Sequence, residues 1–242
     1  MQNYLYLIFL LIFICVVLLI SFYLQDRVQA NAKKDKLFYE VDEINQQLLK
    51  INRIKNKVLK ETENVYIKNN LWNEWVEKYL YDNSEPDGWK IFPFYAFGVW
   101  VDQNCKLCPT ITKFLKSIKG LELATLSRLK PKTKLNPHEG WGSHSNHVIR
   151  CHYGLIVPDN ECYVHVQEIG NETKNEFRYH EKFKWMCFDD SKTHYAENSS
   201  DSDRVVLIVD IIRPNNIQTG KSDVTDSKEL LEIIDYFRKI NV

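Results

Sequence analysis

The sequence predicts a mainly β fold of the sandwich or jelly-roll type, and three features support this prediction. After residue 89 the chain holds several short segments rich in Val, Ile, Leu and Tyr. Turn-forming residues separate these segments, as in Pro158-Asp159-Asn160. No long amphipathic helix alternates with them, which argues against a parallel α/β sheet. The predicted strands are 90–98, 122–129, 147–157, 161–167, 182–188 and 204–212.

Two helices are expected to flank the strands. One covers about 109–119, since Pro109 favours a first helical position and Gly120 favours a helix end. The other covers about 226–240, where Thr225 or Asp226 can cap the first turn. Its predicted apolar face is formed by Leu230, Leu231, Ile233, Ile234 and Phe237.

An apolar run at the start of the chain predicts a membrane-spanning helix. Residues 4–24 carry no charge, and the first charged residue is Asp26. A run of about 20 apolar residues matches the thickness of a bilayer core. The alternative is a cleaved signal peptide with a site at Ala30-Asn31-Ala32, but the run is long for such a peptide and no basic residue precedes it. We therefore expect a transmembrane signal-anchor over residues 1–25 and a single-pass membrane protein.

The side of the membrane occupied by the rest of the chain stays open at this point. Four basic residues follow the apolar run and none precedes it, which favours a cytoplasmic location. Two N-glycosylation sequons, at 171–173 and 198–200, instead favour an endomembrane lumen.

Residues 26–86 are predicted to form a helical juxtamembrane stalk. Their apolar residues follow a heptad-like spacing that gives two readings, a short self-associating coiled coil or an amphipathic helix packed on its own catalytic domain. The catalytic domain, 87–242, is expected to start after the turn-rich stretch at 83–88. The apolar positions of the stalk are Leu37, Val41, Ile44, Leu48, Ile51 and Val58.

Composition excludes little except a polyanionic partner. Lys+Arg and Asp+Glu both total 32, and no basic stripe with interleaved aromatic residues suggests nucleic-acid binding. The six cysteines are too scattered for a disulfide scaffold. Cys105 and Cys108 form a C-x-x-C, which without a second pair favours a structural role, or a local disulfide in an oxidising compartment.

Histidines cluster in a way that suggests a metal centre. All seven lie between residues 138 and 194, and His194 is followed ten residues later by Arg204, at the start of an apolar strand. Imidazole binds Fe(II) well, and iron oxygenases leave coordination positions open for substrate and O₂. Two histidines on facing strands can share one iron, and a nearby arginine can bind the distal carboxylate of a 2-oxo acid through its planar fork. A lone buried histidine would be an ordinary core residue. The hypothesis of a metal centre therefore depends on the combination of the two histidines with the arginine.

Particular stretches in this region resemble the aspartyl/asparaginyl β-hydroxylase family. The pattern R-x-H-x-G-L-x-x-P spans 150–158, F-D-D-S-x-x-H spans 188–194, and both occur in the family's order. Pro137-His138-Glu139-Gly140 and the segment 204–214 also match. The resemblance covers 89–214, roughly half of the chain, and together the elements are highly specific.

The resemblance implies a double-stranded β-helix that binds Fe(II) and the co-substrate 2-oxoglutarate. It makes His138 and His194 the metal ligands and Arg204 the partner of the distal carboxylate. The same resemblance assigns the other co-substrate contacts to Ser127, Arg150 and His152, with Trp89 as a weaker match lining the pocket.

The segment departs from the wider oxygenase class at one position. Most such enzymes place a carboxylate two residues after the first histidine, where this chain has Gly140, and the family is similar in having glycine there. Glu139 should point away from the metal if it lies on a strand, so we do not expect it to be a ligand. Asp189 and Asp190 are interpreted as holding the turn and orienting His194.

The loop between His138 and Arg150 is about three residues longer than in animal relatives. It contains Trp141, His144 and His147, so substrate specificity is open, and His144 remains an alternative first ligand.

The implied enzyme is a 2-oxoglutarate-dependent dioxygenase that hydroxylates an unactivated C–H with O₂. The β-carbon of peptidyl Asp or Asn is the first substrate expected, and a lipid acyl chain is the alternative. Two rival readings are an inactive membrane-tethered jelly roll that only binds a partner and a zinc or cupin-type protein. The complete set of His138, His194, Ser127 and Arg204 argues against both.

Overall fold

A computed structural model of the chain describes residues 12–24, 35–75, 77–81, 87–226, 228, 231–232, 235 and 239. Residues 12–24 form helix α1. In this described part of the chain, no helix is both long and apolar enough to cross a membrane. The predicted single-pass membrane localisation is therefore wrong for the structure as described, and residues 4–11 of the predicted span lie outside the described residues.

Residues 37–214 together with 219–242 form one compact unit, and residues 1–36 with 215–218 form another. In the described part of the larger unit, twelve strands build two sheets. The strands are β1 (Phe38–Tyr39), β2 (Asn73–Glu74), β3 (Trp89–Ala96), β4 (Val99–Trp100), β5 (Leu121–Leu129), β6 (Thr133–Lys134), β7 (Val148–Ile156), β8 (Cys162–Glu168), β9 (Asn171–Tyr179), β10 (Trp185–Phe188), β11 (Thr193–Asn198) and β12 (Arg204–Ile212).

The order of the strands explains the mainly β architecture. The large sheet runs β1-β10-β7-β12-β5-β3-β2, with β4 beside β3, and the small sheet runs β6-β11-β8-β9. From β5 to β12 the chain crosses between the two sheets at every step except from β8 to β9, which is the chain path of a jelly roll. The mainly β prediction is thus confirmed, and all six predicted strands have a counterpart, with ends that differ by up to three residues.

The main core lies between the sheets. Leu129 and Phe188 of the large sheet pack with Val164, Val166 and Ala196 of the small sheet. The opposite face of the large sheet is also covered, since the Tyr153 hydroxyl donates to Asn52 Oδ1 in the helical segment before β2. Because β12 is buried on both faces, its sequence is continuously apolar apart from the three polar residues Arg204, Asp210 and Arg213 in and just after it.

Short helices surround the sheets. They are α2 (Val41–Ile44), α3 (Lys55–Tyr66), α4 (Asp102–Leu107), α5 (Pro109–Leu115) and α6 (Gly142–Ser145), with 3₁₀ turns at Gln46–Arg53, Asn69–Leu71 and Lys78–Leu80. Pro109 begins α5 as predicted, but this helix ends before Gly120. Of the predicted helix over 226–240, residues 228, 231–232, 235 and 239 are helical and the others beyond 226 lie outside the described residues.

The segment predicted as a stalk is not one continuous helix. Its described residues form β1, α2, α3, β2 and three 3₁₀ turns, and β1 pairs with β10 at the edge of the large sheet. Five of the six seam residues are buried in the chain itself, so the seam packs on its own domain and is not free for self-association. The predicted division near residue 86 does not coincide with a boundary between compact units.

The structure also shows the surroundings of the second sequon and of the C-x-x-C motif. The side-chain amide of Asn198 is fully buried and donates to the backbone carbonyls of Leu129, Lys130 and Ser202, so this sequon is not accessible. Cys105 and Cys108 are both buried free thiols, in agreement with a structural role for the C-x-x-C.

Candidate functional site

His138 and His194 lie directly opposite each other at one end of the small sheet. Their backbones exchange both hydrogen bonds, His138 N to His194 O at 3.0 Å and His194 N to His138 O at 2.8 Å. The ring centroids are 4.4 Å apart. Residues 56 positions apart in sequence therefore present their imidazoles side by side.

Local hydrogen bonds fix the same tautomer in both rings. Nδ1 of His138 lies 2.7 Å from the carbonyl oxygen of Asn136, and Nδ1 of His194 lies 2.8 Å from that of Lys192. A carbonyl only accepts, so each Nδ1 donates and each Nε2 keeps its lone pair. Burial and the neighbouring His194 lower the pKa of His138 to about 3, and burial lowers the pKa of His194 to about 4. Both rings are thus neutral near pH 7, the form in which imidazole binds a metal.

Strand register brings the remaining predicted residues to the same place. Val206 of β12 is paired with Ser127 on one side and Gly154 on the other, and Ile208 is paired with His152. Residues opposite each other in an antiparallel pair project from the same face of the sheet. An inner cavity between the sheets is lined by all seven residues that the sequence singles out, namely Trp89, Ser127, His138, Arg150, His152, His194 and Arg204. The cavity is small, with a volume of about 30 Å³.

Arg204 has an unusual environment for a cation. Its side chain is 2% exposed, and its Nε and Nη1 atoms have no hydrogen-bond partner among the described residues. Burial lowers the pKa of Arg204 to about 10, which still leaves it charged at neutral pH. A buried charge without a partner is costly, so its place beside the cavity indicates a site for an anion.

Ser127 and Trp89 form a pair at the inner cavity. The indole Nε1 of Trp89 donates to Ser127 Oγ at 3.0 Å. The serine oxygen is thereby held as an acceptor from the indole, and its own hydroxyl hydrogen is available to a ligand. Trp89 also stacks on Trp75, with centroids 4.8 Å apart, which holds the indole in place.

The partners of Arg150 differ from those expected of a residue that contacts the co-substrate. Its Nε and Nη2 donate to the two oxygens of Asp210 at 2.9 and 2.8 Å, and its Nη1 lies 2.5 Å from Asp190 Oδ1. Burial acts to lower the pKa of Arg150, but these two carboxylates raise it above its ordinary value. Arg150 lines the cavity, yet its guanidinium is already occupied by acidic partners, so a direct contact with a co-substrate remains a prediction.

The two aspartates after β10 have different surroundings. Asp189 accepts from the backbone N–H and hydroxyl of Ser191 and from both terminal nitrogens of Arg213, at 2.6 to 3.1 Å. It therefore shapes the turn that leads to His194. The Oδ1 atom of Asp190 lies 3.3 Å from His194 Nε2. Since that nitrogen carries a lone pair, two acceptors face each other there, and a cation bound at the histidines would relieve their repulsion.

Gly140 stands where most iron oxygenases of this kind have a carboxylate, and the structure gives a steric reason for glycine. A Cβ at this position would collide with the carboxylate of Asp190 and would lie 2.7 Å from Ser145 Cβ. The backbone N–H of Gly140 also donates to Asp190 O at 2.9 Å, which fixes the approach of the two segments.

We expect Gly140→Asp to destabilise the protein instead of adding a third metal ligand. The new side chain must displace Asp190 from Arg150, which leaves buried charges with weaker pairing, and we expect a loss of about 3 kcal/mol or more in unfolding free energy. Denaturant unfolding measures this loss, with the exposed Asn160→Asp as a control of equal charge change. An unfolding free energy equal to that of the natural chain would contradict the steric explanation.

Other candidates from the sequence lie apart from the histidine pair. His144 on α6 has its Nε2 2.9 Å from Asp210 Oδ2 and does not line the inner cavity, so the structure does not favour it as an alternative ligand. The Glu139 carboxyl accepts from the Thr193 hydroxyl at 3.1 Å and lines a second cavity.

This second, outer cavity contains the residues that sequence reasoning missed. It shares Trp89, His138 and Arg150 with the inner cavity, so the two meet at these side chains. Several of its other walls come from segments outside the matching motifs, and only the aromatic richness of the sequence hinted at them. They include Trp75, Glu77, Tyr79, Leu80 and Val224.

The donor set fits Fe(II) and a 2-oxo dicarboxylate. Two neutral imidazoles with free Nε2 atoms suit Fe(II), and a buried cation without a partner suits a carboxylate. Among the described residues, no group of three or more His, Cys, Asp or Glu is arranged to hold a metal, so the histidine pair is the candidate for that role.

The chain is similar in sequence to several known proteins. The profile of the family "Aspartyl/Asparaginyl beta-hydroxylase" matches residues 43–214. The chain is 36% identical over 126 residues to the ornithine lipid ester-linked acyl 2-hydroxylase of Rhizobium tropici, covering 52% of this chain and 42% of that one. It is 36% identical over 143 residues to mouse aspartate beta-hydroxylase domain-containing protein 2, covering 55% and 38%. Human aspartyl/asparaginyl beta-hydroxylase is 28% identical over 135 residues, with 54% and 16% covered.

Among solved structures, a prolyl hydroxylase from Trichoplax adhaerens in complex with a peptide has a TM-score of 0.46 and 11% identity, with 67% of this chain and 79% of that chain covered. The chain spans less than half the length of the curated relatives reported above.

Fold and sequence define a protein with a jelly-roll domain. More particularly, the chain belongs to the aspartyl/asparaginyl β-hydroxylase family. The match begins at residue 43, so the family domain includes most of the segment that the sequence suggested as a stalk.

Proposed function

We propose that this chain is an Fe(II)- and 2-oxoglutarate-dependent dioxygenase that hydroxylates an unactivated C–H bond. One observation carries the proposal. The buried guanidinium of Arg204, whose Nε and Nη1 have no partner among the described residues, lines the same cavity as two neutral imidazoles whose Nε2 atoms carry lone pairs. One buried cavity thus offers a site for a metal ion and a site for an anion. A metal ion chelated by a dicarboxylate uses both sites, whereas a metal ion alone or an anion alone uses only one.

Each residue has a defined task in this proposal. His138 and His194 hold Fe(II), and Arg204 with the Ser127 hydroxyl binds the distal carboxylate of 2-oxoglutarate. When bound, Fe(II) and 2-oxoglutarate supply the activation of O₂, with succinate and CO₂ as products of the co-substrate. The chain excludes water from this reaction by burying the cavity between its two sheets, and Trp89, His138 and Arg150 line both this cavity and the outer one.

The outer cavity favours an acyl chain as the substrate. Its walls include the stacked pair Trp75 and Trp141, whose centroids are 6.2 Å apart. Its carboxyl groups belong to Glu77, Glu139 and Asp190, whereas its cation, Arg150, is already engaged by Asp190 and Asp210. A free substrate carboxylate, such as that of aspartate, would therefore be repelled, while an apolar chain meets aromatic surface. The similarity to an enzyme named for an acyl 2-hydroxylation supports the same choice.

A peptidyl asparagine is the second candidate. The carboxyl groups of Glu77 and Glu139 can accept hydrogen bonds from a side-chain amide, which an aspartate cannot offer. Relatives named for aspartyl/asparaginyl hydroxylation support this alternative.

The test uses the full chain with Fe(II), 2-oxoglutarate and O₂, and follows succinate formation. Ester-linked fatty acyl lipids, asparagine peptides and aspartate peptides are each added in turn, and products are examined by mass spectrometry for one added oxygen atom. We expect the acyl lipids to stimulate succinate formation and to gain oxygen. His194→Ala should be inactive, and His165→Ala should be active because His165 stacks on Tyr195 away from the inner cavity.

Oxygen in an asparagine peptide alone would move the substrate assignment to the second candidate. Succinate formation that is the same in the natural chain and in His194→Ala would overturn the proposed function.

A further inference from the structure

A segment that follows the family match packs on the loop next to the histidine pair. The match ends at residue 214. Residues 219–226, here called the C-terminal strap, belong to the same compact unit as the two sheets. The strap lies against residues 140–146, which begin two positions after His138. None of its residues is helical or part of a strand, so its position depends on these contacts.

Hydrogen bonds hold the strap on this loop. The side-chain amide of Asn146 accepts from the backbone N–H of Ser222 at 2.8 Å and donates to the Ser222 carbonyl oxygen at 3.0 Å. The Ser222 side chain is buried, and its hydroxyl donates to Gly140 O at 2.6 Å. The backbone N–H of Gly142 donates to Val224 O at 2.8 Å. The strap therefore has one defined register against the loop.

Two glycines allow the strap and the loop to approach this closely. A Cβ on Gly142 would lie 2.5 Å from Ser222 O, and a Cβ on Gly220 would overlap with the hydroxyl of Ser191. The backbone N–H of Gly220 also donates to Asn146 O at 3.0 Å. A larger residue at either glycine would push the strap away from the loop.

The strap contributes Val224 to the wall of the outer cavity. Its apolar side chain lines this cavity together with Trp75 and Trp141. The other two residues on which the strap depends, Asn146 and Ser222, do not line it. The strap thus reaches the place that the proposed substrate would occupy through one apolar side chain.

The contacts of the strap do not explain why residue 224 is a valine. This residue is held through its backbone carbonyl and through its N–H, which donates to Ser222 Oγ at 3.2 Å. Any side chain other than proline leaves these two bonds possible. Val224 is 37% exposed, so it gains only part of the free energy of burying its side chain. A ligand in the outer cavity would cover the rest of this apolar surface.

We propose that Val224 is a specificity-determining residue that contacts the acyl chain of the substrate, and that Asn146 and Ser222 are positioning residues that hold it at the outer cavity. This inference rests on the proposed function, because the acyl chain is the substrate proposed there. Val224 extends the apolar surface of Trp75 and Trp141, and its contact with an acyl chain removes both from water. A charged side chain at 224 would lose hydration when the chain binds, so binding would weaken.

The first experiment measures acyl binding without turnover. The full chain, loaded with Mn(II) and 2-oxoglutarate, is titrated by calorimetry with monomeric dihexanoylphosphatidylcholine, a lipid with two ester-linked acyl chains. We expect Val224→Asp to weaken binding at least about 10-fold and Val224→Leu to change it by less than about threefold. Leu107→Asp is the matched control and should bind like the natural chain. Leu107 is 44% exposed on α4 and lines neither cavity.

The second experiment tests the positioning residues. Asn146→Ala removes the side-chain amide that pairs with Ser222, so the backbone N–H of Gly142 should exchange faster with solvent deuterium than in the natural chain. We expect KM for the acyl lipid to rise roughly 10-fold while kcat and KM for 2-oxoglutarate change less than about twofold. Ser222→Ala, which removes the bond to Gly140 O, should act in the same direction, and it replaces Asn146→Ala if that variant does not fold.

The outcomes separate this inference from the proposed function. Absence of lipid binding by the natural chain, or equal binding by the natural chain and Val224→Asp, would overturn the inference even if succinate is formed. A Val224→Asp variant that loses Mn(II) binding to the same extent as lipid binding would also overturn it, because the residue would then act through the fold of the loop. Lipid binding that depends on Val224 in a chain that forms no succinate would support the inference and remove the proposed function.

Discussion

Replacing Arg204 with leucine is expected to weaken the binding of 2-oxoglutarate without lowering the stability of the protein. The variant should bind 2-oxoglutarate at least about 100-fold more weakly, because the carboxylate loses a charge-assisted pair of hydrogen bonds. Its unfolding free energy should be unchanged or higher, since Arg204 is 2% exposed and two of its guanidinium nitrogens have no partner among the described residues. Titration calorimetry with 2-oxoglutarate in the presence of Mn(II), and denaturant unfolding without ligand, measure the two quantities.

Arg213→Leu is the matched control for this prediction. Arg213 is also a buried arginine at the end of the same strand, but it is paired with both oxygens of Asp189 and with Ser145 O. Its removal leaves Asp189 buried and uncompensated, so we expect a loss of roughly 3–5 kcal/mol in stability. If Arg204→Leu loses as much stability as Arg213→Leu and keeps its affinity for 2-oxoglutarate, Arg204 is a structural residue and the anion site is wrongly placed.

Alanine at His138 or His194 is expected to abolish metal binding while the fold persists. Each ring contributes a free Nε2 whose direction is fixed by the hydrogen bond at Nδ1, and a single remaining imidazole binds Fe(II) too weakly to retain it. Mn(II) titration followed by electron paramagnetic resonance measures the site, since bound and free Mn(II) give different signals. We expect one bound ion in the natural chain and at least about 100-fold weaker binding in either variant.

His165→Ala and His144→Ala serve as controls for that experiment. His165 is the strand neighbour of Tyr195, and His144 is paired with Asp210, so neither faces the histidine pair. Both variants should bind Mn(II) like the natural chain. Loss of binding in His144→Ala with retention in His138→Ala would instead support the alternative ligand that the sequence left open.

The sequence predicts the strands that are apolar and misses those that are not. β12 and β7 have long apolar runs because both of their faces are buried. β9 has the sequence NETKNEFRY with almost every residue exposed, so it carries no hydrophobic signal, and its strand conformation comes from pairing with β8. β11 is short and mostly polar in sequence, and it too is held by its neighbours in the small sheet.

The N-terminal segment shows why heptad spacing alone does not predict a coiled coil. Leu48, Ile51 and Val58 recur at helical spacing because one side of the segment packs on the large sheet. The same spacing would serve a partner helix, and the sequence carries no information on which surface is nearest. Contacts such as Trp185 Nε1 to Leu48 O depend on residues far apart in the chain.

Sequence motifs predict part of the candidate site. The part that depends on tertiary contacts cannot be predicted from them. The seven residues named from the sequence line one cavity, and their roles there stay predictions. The occupation of Arg150 by Asp210 depends on strand register between β7 and β12, which the motif does not specify. Likewise, the pairing of His152 with His180 joins residues 28 apart, and Trp75 reaches the outer cavity from a segment without any motif.

The most direct test of the proposed co-substrate site is an absorption spectrum of the full chain with Fe(II) and 2-oxoglutarate in the absence of O₂. A 2-oxo acid chelated to Fe(II) gives a weak charge-transfer band in the visible region, which neither ligand gives alone. If the histidine pair and Arg204 form one co-substrate site, the natural chain shows this band and His194→Ala lacks it. Arg204→Leu shows the band only at a much higher concentration of 2-oxoglutarate. Absence of the band in a natural chain that is folded and saturated with Fe(II) would contradict the claim that the histidine pair and Arg204 form one co-substrate site.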